Sequence, residues 1–310
     1  MRNDRHQPIV ATYSIIARDR ATGQMGVAVQ SCYFGVGTIV PWAEAGVGVV
    51  ATQAFANADF GPEGLRLLRT GLAAADALAR LLERDPDPER RQVAILDARG
   101  GVAAHTGRRC IDAAGDLTGD GVSTQANMMA DRTVWPAMLD AYERAGGDLA
   151  ARLLAALEAA EAAGGDIRGR QSAALLVVGG RSSDAPWRDR LFDLRVDDHP
   201  SPVAELGRLL RLRRAQHAHA GFLDAVTTGR TDEALRLLEE ALRLAPDLDE
   251  VRLSGAVAAY MQGQREEARS ALHGIFARKP GLAEWVVRMA AAGMLPTDAG
   301  LLELVSAARS

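Results

Sequence analysis

Cysteine, lysine and long apolar runs are what this chain has least of. Two cysteines, Cys32 and Cys110, in 310 residues make no disulfide framework, and a reducing, cytoplasmic setting is expected. Lysine occurs once, at Lys279, so arginine supplies nearly all of the 36 basic side chains. The 40 acidic residues leave a formal net charge of -4, which argues against a nucleic-acid backbone or an anionic membrane as partner. The longest uncharged stretch, residues 21–43, is broken by Gly23, Gln24, Gly26, Gln30, Ser31, Gly35 and Gly37, so it reads as strands and turns rather than a membrane span. Residues 1–8 lack the apolar core of a secretory signal. At 48% hydrophobic and 25% charged, the chain is too apolar for wholesale disorder, and its length points to two domains.

Metal and nucleotide signatures are missing too. There is no CxxC, no HExxH and no acidic calcium loop, and His217 and His219, two apart on one helix, face different directions. Neither a metal nor a cofactor is expected. Gly35 and Gly37, like Gly46 and Gly48, lie within or between strands and do not open a helix, which fails the dinucleotide-binding context. Cys32 or Cys110 beside His105 is a formal nucleophile candidate, set against the commoner role of a buried thiol.

What is there begins with strands. Residues 9–18 and 25–31 read as a hairpin across a turn at 19–23, followed by a second Val- and Gly-rich pair at 35–41 and 46–53. Helical spacing follows from Pro62 to residue 84, then strands at 92–97 and 102–105. Two helices, 134–144 and 149–163, precede strands at 171–178 and 191–196, with Asp148 as N-cap of the second helix. Grouped strands and grouped helices, without βαβ alternation, predict an α+β fold with two antiparallel sheets and helices outside.

From residue 218 no strand signal remains, and the second domain is set at 218–310, after a first at 9–217. Gly229, Ala234 and Pro246 recur 34 positions later as Gly263, Ala268 and Pro280. That period, with a small residue in the second helix and a proline after it, is the tetratricopeptide pattern. Two units leave an apolar end uncovered, so residues 295–308 are expected to cap it, with a homodimer or another protein as partner of these helices.

Uncharged donors and a short charged loop are the candidate chemistry. Thr12 opens a strand, and Ser31 and Gln53 end two others. Gln125 and Asn127 share a face of an extended segment, where amides suit recognition or an oxyanion. The segment 164–172 carries Asp166, Arg168, Arg170 and Gln171 between a helix end and a buried strand, and arginines so placed suit a carboxylate-bearing small molecule.

These stretches resemble a known family. Residues 12–19 (TYSIIARD), 25–31 (MGVAVQS), 40–48 (VPWAEAGVG), 51–53, 105–107, 125–127 and 164–178 are similar, in order, to the domain of unknown function 1028 family. The resemblance covers about residues 11–215 and implies a four-layer α-β-β-α sandwich like that of the N-terminal nucleophile (Ntn) hydrolases. In that superfamily an N-terminal Thr, Ser or Cys is the nucleophile and its own α-amine the base. Here Thr12 has eleven residues before it, so the mechanism requires cleavage between Ala11 and Thr12. The resulting expectation is a hydrolase of a small non-peptide amide or other C–N bond, with Thr12, Gln125 and Asn127 catalytic. Ser31, Gln53, Asp166, Arg168, Arg170 and Gln171 would bind substrate. The alternative is a non-catalytic ligand-binding or scaffold protein that uses its helical tail for contact.

Overall fold

The structure is a computed structural model that describes residues 9–293 and 299–308. Two compact units divide between Leu210 and Arg211. In the first, β1 (Ile9–Val10), β2 (Thr12–Arg18) and β3 (Met25–Ser31) lead through a short 3-10 turn to β4 (Pro41–Glu44) and β5 (Gly48–Phe55). Helices α1 (Phe60–Arg69) and α2 (Ala74–Arg84) follow, then strands β6 (Arg91–Asp97), β7 (Val102–Thr106), β8 (Gly115–Gly119) and β9 (Val122–Asn127). Next come α3 (Val134–Arg144), α4 (Leu149–Ala162), β10 (Ser172–Val178), β11 (Arg190–Val196) and α5 (Pro202–Thr227).

Every strand pair is antiparallel, in two sheets. One runs β1-β5-β6-β7 with β4 also on β5, and the other β11-β10-β3-β2-β9-β8. The period-2 alternation of each strand decides what lies on either side. In β2, Tyr13, Ile15 and Ala17 join Leu153, Leu157 and Met138 under α3 and α4, while Ile16 turns the other way, to Val49, Ala51 and Leu96. On the first sheet, Val50, Val93 and Ile95 pack against Leu68, Leu78 and Leu81 of α1 and α2. The result is four layers, helices–sheet–sheet–helices, with three stacked apolar cores. The Asp148 cap is present: its carboxylate accepts from the Ala151 N–H at 2.8 Å.

Two local expectations change. Residues 35–41 do not form a strand: Gly35 is left-handed at φ 66, Val36–Thr38 coil into a 3-10 turn, and the strand starts only at Pro41. β8 was not anticipated, because Leu117 is its single large apolar side chain and no alternation marks it.

The second unit is helical: α6 (Thr231–Leu244), α7 (Asp249–Met261), α8 (Arg265–Arg278), α9 (Gly281–Ala291) and α10 (Ala299–Ala307). Ala234 and Ala268, the recurring small residues, are buried. Leu301 and Val305 of α10 join Leu272, Ile275 and Phe276 of α8 in one cluster, as a capping helix does; the expected start of that cap, residues 295–298, lies outside the described residues. The sequence sets the division at 217/218 and the contacts set it at 210/211, both inside α5. Val203, Leu206 and Leu210 belong to the sandwich core, whereas Ala218 and Phe222 pack with Ala234 and Leu238.

Candidate active site

Strand alternation turns a set of uncharged polar side chains toward the space between the sheets. Thr12 and Ser14 come from β2, Ser31 from β3, Gln53 from β5, Gln92 from β6, and Ser123, Gln125 and Asn127 from β9; all are buried. They are registered across strands: Thr12 sits opposite Ser31 and Asn127, Ser14 opposite Gln125, and Gln53 opposite Gln92. The Ser14 hydroxyl donates to Gln53 Oε1 (2.6 Å) and accepts from Gln125 Nε2 (2.6 Å), while Ser123 donates to Gln125 Oε1 (2.9 Å). Gln92 Oε1 accepts from Gln53 Nε2 (2.8 Å) and Asn127 Nδ2 (2.9 Å). Its own Nε2 donates to the Ala126 carbonyl (2.8 Å) and to Thr106 Oγ1 (2.9 Å). A network this satisfied holds its members in one arrangement, since each broken bond strands a buried polar group.

At its edge lies the peptide between Ala11 and Thr12. The Thr12 hydroxyl donates to the Val10 carbonyl at 2.9 Å, and the Thr12 carbonyl accepts from Gln53 Nε2 at 3.3 Å. The Ala11 carbonyl oxygen receives two donors, Ser31 Oγ at 2.5 Å and Arg168 Nη2 at 3.1 Å. Asp166 aims that guanidinium. Its Oδ1 accepts from the Arg168 N–H (2.9 Å) and Nε (3.1 Å), and its Oδ2 from Arg168 Nη2 (2.8 Å) and the Cys32 N–H (3.1 Å). The ion pair keeps the Asp166 carboxylate fully buried and Arg168 one-third exposed.

Gln125 and Asn127, the expected oxyanion donors, both lie in the network. Gln125 donates to Ser14, Asn127 donates to Gln92 and, at 3.5 Å, to the Thr12 carbonyl, and the donors on the Ala11 carbonyl are Ser31 and Arg168. Arg170 and Gln171 lie outside this cluster. Arg170 faces Glu161 at 3.5 Å, and Gln171 donates to Asp198 at 3.2 Å. Both line a shallow cavity of about 310 Å³ with Cys32, Asp198 and His199. A larger cavity, about 690 Å³, is lined by Trp42, Glu44, Arg69, Arg190 and Arg195 and by none of the residues 164–172.

Gln92, Ser14 and Ser123 were missed in the sequence. The signal was available: 12 and 14, and 123, 125 and 127, are same-face positions once the strands are drawn. Two strained residues directly follow members of the network: Ala54 (φ 66) after Gln53 and Met128 (φ 60) after Asn127. Left-handed non-glycine residues cost of order 1–3 kcal/mol and cluster at functional sites. On the opposite face of β2, burial raises the Tyr13 hydroxyl well above the ordinary phenol value, reinforced by Glu161, which burial likewise raises. Cys110 and His105 form no couple: the thiol points to the Arg91 carbonyl at 3.4 Å and the imidazole to the Pro88 carbonyl at 3.0 Å. Burial pushes the Cys110 thiol up to about 11, which keeps it protonated at neutral pH. Among the described residues no three His, Cys, Asp or Glu converge as metal ligands, and no helix is long and apolar enough to cross a membrane.

A family of unknown function, DUF1028, matches residues 12–206. The chain belongs to it. The crystal structure of protein SPO2555 from Silicibacter pomeroyi, a DUF1028 protein, is 35% identical with a TM-score of 0.59, over 65% of this chain and 85% of that one. The DUF1028 region thus holds the whole cluster from Thr12 to Arg168. A tetratricopeptide repeat matches residues 225–286, within the helical unit. No curated protein matches.

Proposed function

We propose that the DUF1028 region is a hydrolase of an amide or other C–N bond in a small substrate, with Thr12 as an N-terminal nucleophile of the Ntn type. The observation that carries this reading is the Ala11 carbonyl, held by Ser31 and Arg168 one bond from the Thr12 nitrogen. Two donors on one carbonyl oxygen, one of them charged, are what a tetrahedral oxyanion needs at that atom. The DUF1028 match also starts at Thr12.

The chain first acts on itself. Thr12 Oγ adds to the Ala11 carbonyl carbon, the C–N bond breaks, and the hydroxyl proton ends on the Thr12 nitrogen. Water then hydrolyses the ester, returning the hydroxyl and leaving an Ala11 carboxylate and a free Thr12 amine. That amine, with a reference pKa of about 8, takes the Oγ proton in each later turnover. Oγ attacks the substrate carbonyl, Ser31 and Arg168 hold the oxyanion, the leaving amine departs with the proton, and water releases the acyl group. Asp166 keeps Arg168 in place, and Gln53 holds the Thr12 carbonyl. A carboxylate on the substrate would meet Arg170, in the cavity beside Cys32. Both cysteines are free, in keeping with a cytoplasmic site of action.

Intact-mass spectrometry tests the reading. The purified chain is expected to lose everything through Ala11; Thr12→Ser keeps the cleavage and Thr12→Ala abolishes it. A wild-type chain that keeps the Ala11–Thr12 bond after prolonged incubation sinks the mechanism. The second reading, a scaffold that pairs through its helices as a homodimer, is favoured by a groove of about 340 Å³ where Leu223, Val226, Leu235 and Met261 are exposed. Light scattering of wild type against Met261→Glu distinguishes it.

A further inference from the structure

Resting on the reading of Thr12 just given, we propose that the acyl half of the substrate is an extended, peptide-like segment that takes the place of β1. Its main chain would lie along the end of β5, with an apolar side chain where Val10 sits and a small one where Ala11 sits. This proposal puts a peptide-like acyl group where the sequence reading expected a non-peptide amide.

The argument starts from what β1 is. Two residues long, it pairs antiparallel with β5, Ile9 opposite Phe55 and Val10 opposite Ala54, and one residue later comes the bond to be cut. Once that bond is broken, Ile9–Ala11 is no longer part of β2's chain; it is a product lying in the site that made it. A site that cleaves after this segment has already bound an acyl group with its carbonyl between Ser31 and Arg168. The next acyl group must put its own carbonyl there to reach the same Oγ.

The side chains of the segment then report what each position accepts. Ile9 is 45% exposed, so the third position from the bond is open to solvent and undemanding. Val10 is fully buried among Ile16, Val29, Ala51 and Ala56, which requires an apolar side chain and rejects a charge. Ala11 is fully buried, so a larger side chain at the bond would overpack its surroundings and a small one is required.

The strand edge does not depend on its occupant. Arg91 of β6 donates to the Phe55 carbonyl at 2.6 Å and is itself locked by a buried ion pair with Asp85 at 3.0 Å. The left-handed turn at Ala54 sets the direction in which β5 ends. A strand edge held this way binds an incoming segment by main-chain hydrogen bonds and selects it by alternate side chains.

In turnover the Thr12 amine takes the Oγ proton, the Oγ–C bond forms, the substrate C–N bond breaks, and the leaving amine carries the proton away. Water then splits the ester to the free acid. The probes are aminomethylcoumarin amides of acetyl-Ile-Val-Ala, acetyl-Ile-Val-Phe and acetyl-Ile-Asp-Ala, and the plain acetyl amide of the same amine. They are given to the full chain after it has lost the segment through Ala11. The kcat/KM for acetyl-Ile-Val-Ala is expected to exceed each of the others by about tenfold or more. The product acid acetyl-Ile-Val-Ala is expected to raise the melting temperature of that chain, and acetyl-Ile-Asp-Ala to leave it unchanged. Equal turnover of the plain acetyl amide overturns the proposal and leaves the Thr12 reading standing. So does a cut chain that neither hydrolyses the peptide amide nor is stabilised by its acid. A chain that never loses the segment overturns both.

Discussion

Gln30 and Gln92 are both wholly buried strand glutamines, and they mean opposite things. Gln92 is the hub of the amide network, accepting from Gln53 and Asn127 and donating to Thr106 and the Ala126 carbonyl. Neither amide atom of Gln30, on the helix-facing side of β3, has a hydrogen-bond partner among the described residues. An unmade bond at a buried polar group costs about 1–3 kcal/mol, and an apolar residue of similar shape removes that cost. Gln30→Met is therefore expected to stabilise the fold by about 1–2 kcal/mol in urea unfolding, and Gln92→Leu to destabilise it by about 1–3 kcal/mol. Equal losses for the two variants would show that Gln30 is hydrogen-bonded after all. Composition and periodicity do not separate these residues. Both sit at buried positions of apolar strands, and only the facing layer differs.

At the scale of elements, the repeat was legible because its punctuation is stereochemical. Gly229 and Gly263 are left-handed, at φ 74 and 83, and each ends a helix with the bond that closes such a turn: Arg230 N–H to the Ala225 carbonyl (2.8 Å) and Gln264 N–H to the Ala259 carbonyl (2.9 Å). A Cβ at either glycine would meet nothing within 4 Å, so substitution acts through the backbone alone. Gly229→Ala and Gly263→Ala are each expected to cost about 1–2 kcal/mol of helical-unit stability, read by thermal melting. A loss confined to one of them would break the equivalence of the two repeats. Asp249, at the start of α7, is held below the ordinary aspartate value chiefly by its hydrogen bond from Arg278, with Lys279 assisting. A carboxyl depressed in the folded state stabilises above its unfolded value and loses that contribution as pH falls through the lower one. The Asp249→Asn variant is expected to melt earlier than wild type at pH 7 and pH 5, with the gap closing as pH drops below 3.8. A gap that stays constant into acid would assign the effect to packing.

For the whole molecule, the division of labour follows from where α5 spends its side chains. Val203, Leu206 and Leu210 complete the sandwich core, so a cut before them exposes it, and a cut beyond them does not. A chain ending at residue 217 is expected to fold, to melt cooperatively and to undergo the cleavage after Ala11 proposed for the full chain. A chain ending at residue 200 is expected to aggregate. Failure of the longer one to cleave while folded would place part of the catalytic apparatus in the helices.

The sequence by itself determined what depends on near neighbours: the two antiparallel groups of strands with helices around them, the cap at Asp148, the 34-residue helical repeat, and the shared face of Gln125 and Asn127. These follow from periods of two and 3.6 residues and from backbone preferences that act within one turn. The tertiary structure alone decided that β8 exists, that Gln92 joins the network from the other sheet, and that Arg168 reaches a carbonyl 157 residues away. It also decided that Arg170 and Gln171, two and three residues beyond Arg168, point elsewhere. Those outcomes are set by sheet register and by how two faces meet. A shift of one residue in register would send Gln92 to the opposite layer and move the loop before β10 with its strand, and no pattern along a single strand records which shift was made.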